Sequence, residues 1–371
     1  MKKFLQVGLC SGFLSAVLST ASFTANAYYF PRVATLTNDL ENNELMVFAQ
    51  LPGQQGLKLI QSIPTGGTGL QAALGNQDGL IVSEDGNYLY AINPGSDSLS
   101  VFAIKSTGVE LIQTVSSQGI MPLSLTQNDD LLFVLNGGSD SIAGFSINSD
   151  GTLAFIDESL GQLSSTGTAP AQASFTPDGA FLIVTEKVTG VISTFPVTDD
   201  GVIGERVGIA SEKPFPFGFD FDRFGHVLVS EANPFGTDGG SVTSYNISAN
   251  GNLELLDSAE LNGQRATCWL KTGKGGRFAY VSNTFSETIS LYSVDRDGDL
   301  VLTGDDGLVA ELETGDVPID IAFSDNGRIF YVLNEGNDGS IASYQVTGAK
   351  GLRLMDRNED VPAFSTGIVA F

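Results

Sequence analysis

From Ala169 to Ile203 the chain reads APAQASFTPDGAFLIVTEKVTGVISTFPVTDDGVI: four short apolar runs, broken at Pro177-Asp178-Gly179, at Glu186-Lys187-Val188-Thr189-Gly190 and at Asp199-Asp200-Gly201. Apolar runs of this length between Gly- and Asp-rich breaks predict an antiparallel four-stranded meander. One such sheet cannot bury both of its faces. Copies set around an axis cover one another, so repetition of the pattern would specify a β-propeller.

The pattern does repeat. The second apolar run of each copy ends on a short polar residue, and these anchors are Asn38, Asn93, Asn136, Glu186, Glu231, Asn283 and Asn334, spaced 43 to 55 residues apart. Seven units of blade size follow. Hairpin dipeptides that accept positive φ stand where each unit needs them, as at Asp178-Gly179, Asn326-Gly327, Asp200-Gly201 and Asn250-Gly251. The first unit opens directly on a second strand, Val33–Asn38, and the chain finishes on an unaccompanied first strand, Thr366–Phe371. The expectation is an all-β, seven-bladed propeller of four-stranded antiparallel blades, in which the C-terminal strand completes the first blade and removes the open edges.

Composition adjusts this picture in three ways. The chain has 371 residues, 42% of them hydrophobic, enough for a large core. Lys2 and Lys3, the apolar run that begins at Phe4, and Ala25-Asn26-Ala27 form the pattern of a secretory signal peptide over 1–27. The run is short for a membrane span and contains Ser11, Ser15 and Ser19, so no membrane insertion is expected. A single propeller domain over 28–371, secreted or periplasmic and monomeric, is therefore predicted. Removal of the leader takes Cys10 with it and leaves Cys268 without a partner, so no internal disulfide stabilises the fold. The net charge of −25 argues against nucleic acid as a partner.

The stretches LIVTEKVTGVISTFPV, FAYVSNTFSETISLYSV and IFYVLNEGNDGSIASYQV resemble the YVTN-type repeats of the seven-bladed lactonase family, which includes propellers that hydrolyse phosphogluconolactone and relatives that cyclise carboxymuconate. The resemblance runs from about Val33 to Phe371 and implies a propeller that hydrolyses a lactone or related cyclic ester. In lactone-hydrolysing members one blade carries Arg-His early in its first strand and Asn-Glu at the end of the next. The matching positions here are Ala171-Gln172 and Thr185-Glu186, so the acid is kept and the Arg-His pair is absent.

The candidate chemistry gathers at the ends of the second strands. Gln172 and Glu186 lie symmetrically about Gly179, which in an in-register hairpin makes them cross-strand neighbours. Glu186 is either a turn cap replacing the usual Asn or a catalytic base that activates water. Glu231 is the other acidic anchor, in the next blade. The two carboxylates can serve as an acid and base pair, as ligands for a divalent cation, or as solvated rim charges. Otherwise no cofactor is implied. In Arg265-Ala266-Thr267-Cys268-Trp269, Arg265 is the candidate for stabilising an oxyanion, and Trp269 is either a stacking surface for substrate or filling between blades. His226, the only histidine, is expected at the opposite mouth. The competing class is a non-catalytic propeller that holds a carbohydrate, peptide or protein partner at the same mouth.

Overall fold

A computed structural model describes residues 31–371 apart from 52, 55, 237, 238, 337, 338, 349 and 350. The 1–27 leader lies outside the described residues. Twenty-nine strands, β1 to β29, make up seven antiparallel sheets among the described residues; all run through consecutive strands except the first, and the third has a short fifth strand, β12 (Gly161–Gln162), that pairs with β10 (Ser141–Ile147). That sheet has the order β29 (Thr366–Ala370), β1 (Arg32–Leu36), β2 (Glu44–Gln50), β3 (Leu57–Pro64). The end of the chain therefore completes the blade that the beginning leaves short. Ala34 pairs with Val369 and Thr35 with Ile368, while Arg32 and Phe371 exchange two backbone hydrogen bonds of 3.0 and 2.9 Å.

The ring closes because the innermost strand of each blade packs on that of the next. These strands are β29, β4 (Leu80–Val82), β8 (Pro122–Asn128), β13 (Pro170–Phe175), β17 (Pro216–Phe221), β21 (Thr267–Thr272) and β25 (Pro318–Phe323), and β25 returns to β29. Four of the seven begin with proline. Their outer side faces the channel, so the missing N–H breaks no ladder bond.

Burial follows the distance from the axis. The second strands are buried on both faces, as in β9 (Leu131–Asn136) and β14 (Phe181–Glu186), because each sheet is sandwiched between two others. The outermost strands, such as β3, β20 (Leu253–Leu261) and β28 (Leu352–Asn358), show alternating or mostly exposed positions. This gradient is why the inner runs read as continuously apolar while the outer ones carry most of the charge.

Candidate functional site

Residue placement at the channel mouth depends on a bulge that recurs at the head of the first strands. In the fourth blade Pro170 pairs with Glu186, but Gln172 pairs with Thr185, one residue having been inserted between them. The fifth, sixth and seventh blades show the same shift after Pro216, Thr267 and Pro318. The residue before the bulge is left-handed at Ala169, Phe215 and Ala266, with φ of 46°, 63° and 56°. The in-register pairing of Gln172 with Glu186 expected from the sequence is thus corrected: the bulge turns Gln172 away from the anchor.

Glu186 and Glu231 do share one end of adjacent blades, since each pairs with the opening proline of its own sheet. Both are fully buried. The Glu186 carboxylate accepts bonds from the Ser164 backbone N–H and hydroxyl, from Thr189 Oγ1 at 2.9 Å and from Ser193 Oγ at 2.6 Å. Glu231 accepts from Ser211 Oγ at 3.2 Å and Ser241 Oγ at 2.8 Å, and burial pushes its pKa up to about 7. The Asn anchors make the same connection with one bond reversed. Asn283 accepts from Asn262 and Thr267 on the preceding side and donates to Ser290 Oγ at 2.9 Å on the third strand. At the two acidic anchors that bond is reversed, the serine hydroxyl of the third strand donating to the carboxyl: Ser193 to Glu186 and Ser241 to Glu231. Both glutamates therefore occupy the place of a turn-holding amide between strands.

The channel itself is stopped by residues 75–78, part of the long connection between β3 and β4. Trp269 Nε1 in the sixth blade donates to the Asn76 carbonyl at 2.7 Å, and Thr366 Oγ1 in the first blade donates to Asn76 Oδ1 at 3.2 Å. The Asn76 amide donates to the Leu123 carbonyl in the third blade. Gln77 receives the Leu270 N–H at 3.1 Å and donates back to the Leu270 carbonyl at 2.9 Å, while its own N–H meets Ala171 O in the fourth blade. Four blades thus grip one strap. Gly218 permits the fit, because a Cβ there would lie 2.3 Å from Gln77 Oε1 and 2.8 Å from the Cys268 carbonyl.

Beneath the strap sits a charged waist. Lys271 Nζ lies 2.7 Å from Asp78 Oδ1, and Gln172 Nε2 donates to Asp78 Oδ2 at 2.8 Å while Gln172 Oε1 accepts the Phe219 N–H. Asp320 accepts the N–H groups of Ile321 and Ile368, and burial first, then the Asp78 charge, raises its pKa well above the carboxylate range. Burial works to lower Lys271, but Asp78, Asp220 and Asp320 together hold it protonated.

Above the strap lies a cavity of about 150 Å³. Trp269, Leu74, Phe285, Val317, Ile319 and Phe364 supply its apolar wall. Phe285 and Phe364 remain 54% and 37% exposed, so the wall continues to the rim. Glu335 is the titratable side chain in the lining. It follows the anchor Asn334, just past the end of β26 (Ile329–Asn334), and lines the cavity where the anchor does not. Its carboxylate takes no hydrogen bond or ion pair from the described residues, and burial raises its pKa. Lys187 follows Glu186 in the same way. Its ammonium donates to the Gly75 and Pro170 carbonyls and stands 5.0 Å from the Phe217 ring centre, and burial brings its pKa down to about 8.

Of the five residues singled out from the sequence, Trp269 lines the cavity and Arg265 stacks over its wall residue Phe285 at 5.8 Å. Gln172, Glu186 and Glu231 bond to other partners. Trp269 also packs 4.7 Å from the Phe217 ring, so wall and filling are both its roles. Cys268 is buried and its thiol pushed up to about 12, and His226 is held by Asp222 at 2.8 Å in the hairpin at the far end of its blade. In the Gly-rich loop 233–240, whose sequence is compatible with either a lid or a tolerated insertion, Thr237 and Asp238 lie outside the described residues. Glu335 and the strap were missed. Their sequence signals were an acid directly after an anchor, in LNEGN, and the first inter-anchor spacing, which is the longest.

Residues 31–163 match the family described as lactonase, 7-bladed beta-propeller. Among solved structures, a candidate 6-phosphogluconolactonase from Bacteroides uniformis is 22% identical, with a TM-score of 0.70 over 92% of this chain and 99% of that one. A periplasmic gluconolactonase from Pseudomonas aeruginosa is 17% identical, with a TM-score of 0.70 over 91% and 98%. A protein from Lactobacillus plantarum is 18% identical, with a TM-score of 0.71 over 92% and 99%. No curated protein matches the sequence. At these identities the solved structures attest the fold.

Proposed function

We propose that this lactonase-family propeller hydrolyses a lactone in the cavity above the strap, with Glu335 as the base. The observation that carries the reading is a half-buried carboxylate, unpartnered among the described residues and raised in pKa, in the wall of an otherwise largely apolar pocket. Glu335 takes a proton from a water whose oxygen attacks the lactone carbonyl carbon. The ring C–O bond then breaks, and the ring oxygen leaves with the proton that Glu335 returns, giving a hydroxy acid. Trp269 is the surface on which the ring rests, and Arg265, on Phe285, is the candidate for holding the developing oxyanion. The role expected of Glu186 passes to Glu335, because the oxygens of Glu186 are already occupied by serine and threonine donors. The leader pattern over 1–27 supports export, and among the described residues no helix is long and apolar enough to cross a membrane.

A pH-stat panel of lactones tests this. Glu335→Gln is expected to lower kcat by about 10²-fold or more, while Glu186→Gln, which can keep the turn by the amide arrangement of the other blades, retains most activity. Turnover that survives Glu335→Gln refutes the assigned base. Absence of turnover on every lactone favours the binding propeller.

A further inference from the structure

Resting on the reading of the cavity as a lactone site, we propose that its substrate carries an alkyl or aryl substituent and is not a polyhydroxylated sugar lactone. Free hydrogen-bond donors are scarce in the side chains of this cavity. Four polar side chains other than Glu335 line the cavity, and each already donates into the protein. Thr284 Oγ1 donates to the Pro318 carbonyl at 3.1 Å, Ser365 Oγ to Pro362 O at 2.8 Å, Thr366 Oγ1 to Asn76 Oδ1 at 3.2 Å, and the Asn76 amide to Leu123 O. A sugar lactone would bring several hydroxyls against this wall, and a buried hydroxyl without partners is heavily penalised. A site built to recognise such groups presents free polar partners and discriminates strongly by them. Glu335 is the one such group here, and the reaction uses it.

An apolar substituent meets the opposite situation. Leu74, Val317, Ile319 and Trp269 line the cavity, and Phe285 and Phe364 carry the same character outward into solvent. The ring can lie on Trp269 with its carbonyl toward Glu335 while a short chain leaves along the two phenylalanines. The Lys187 ammonium near the mouth is already engaged by two carbonyls, which leaves it poorly placed to take a phosphate group.

The test is a homologous series of γ-lactones from γ-butyrolactone to γ-decalactone, with δ-gluconolactone alongside, read in two ways. In pH-stat kinetics, kcat/KM is expected to rise roughly fourfold per added methylene until the chain clears the rim, with δ-gluconolactone at least tenfold below the best alkyl lactone. In binding, the fluorescence of Trp269, the only tryptophan of the chain, is followed in Glu335→Gln protein, and its response is expected to tighten with chain length in the same order. Preference for δ-gluconolactone, or a rate that is flat along the series, overturns the proposal and leaves the hydrolase reading standing. Chain-length-dependent binding without hydrolysis has the reverse effect, sinking the hydrolase and supporting the apolar site. If neither hydrolysis nor binding is seen, both fall.

Discussion

Replacing Ile368 by alanine tests the closure on which the whole ring depends. Ile368 is 4% exposed on β29, packs with Val33, Phe48 and Leu333 in the core between the last and first blades, and gives its N–H to Asp320 at 3.2 Å. The substitution leaves the backbone bonds in place and removes the buried side chain beyond Cβ. Its transfer and cavity terms together amount to about 2–5 kcal/mol. For a chain of 371 residues, with an unfolding entropy of about 2.1 cal/mol/K per residue, that is a fall in Tm of roughly 3–6 °C. Deleting residues 366–371 should cost far more, since β1 would become an unpaired inner edge and the hydrogen bonds between Arg32 and Phe371 would be lost. Val301→Ala, at a position 58% exposed on an outermost strand, serves as the control and is expected within about 0.5 kcal/mol of the parent. The measurement is thermal unfolding followed by circular dichroism and calorimetry. If Ile368→Ala melts like Val301→Ala, or the truncated chain melts like the full one, the terminal strand does not hold the ring.

Three further outcomes follow from the charged groups. Because burial raises the Glu335 pKa and the base acts when deprotonated, the acid limb of kcat/KM should lie above the ordinary carboxylate range near 4.5, a limb that Glu335→Gln removes along with the activity. Glu231 is neutral in the fold up to about 7 and ionises near 4.5 when unfolded, so its contribution to stability is full below pH 4.5 and is lost as pH rises through 7, by about 3 kcal/mol. Urea unfolding of Glu231→Gln between pH 4.5 and 8 should show a flatter profile, and an unchanged slope would exclude Glu231 as its source. Lys271→Met leaves Asp78 and Asp220 at the waist without their cation and should cost about 2–3 kcal/mol, discounted from a fully buried pair because the Lys271 side chain is 27% exposed. Adding Asp78→Asn should recover part of that loss in chemical denaturation, whereas strictly additive losses would deny the coupling.

How far the sequence reaches depends on whether the interaction is local. Each hairpin is written in its own residues, so Asp178-Gly179 or Asn326-Gly327 could be read at once, and the unpaired strands at the two ends supplied closure by matching each other. The bulge before Gln172 could not be read in this way. It inserts a residue at the head of a strand whose spacing to the turn is otherwise regular, and the cue, a left-handed Ala169, is a conformation that alanine does not advertise. The error was one residue, and in a strand one residue reverses the face. Here it takes Gln172 from the anchor Glu186 to Asp78 and the Phe219 N–H.

The strap lay further out of reach, because Gly75–Asp78 has meaning only when several blades are present to hold it. Asn76 and Gln77 are surrounded in sequence by Leu74, Gly75, Asp78 and Gly79, an unremarkable loop, yet their partners are Leu123, Ala171, Trp269, Leu270 and Thr366. That arrangement also explains why a single cavity wall combines so much apolar surface with so few free donors. The polar atoms nearest the axis are consumed in tying the strap to four blades, since a buried amide or hydroxyl left unpaired there would cost about 1–3 kcal/mol. What remains to face the mouth is carbon, plus the carboxylate of Glu335, the residue directly after an anchor. The selectivity proposed for the pocket is therefore a by-product of how the channel is sealed, and loosening the strap should widen substrate choice and lower stability together.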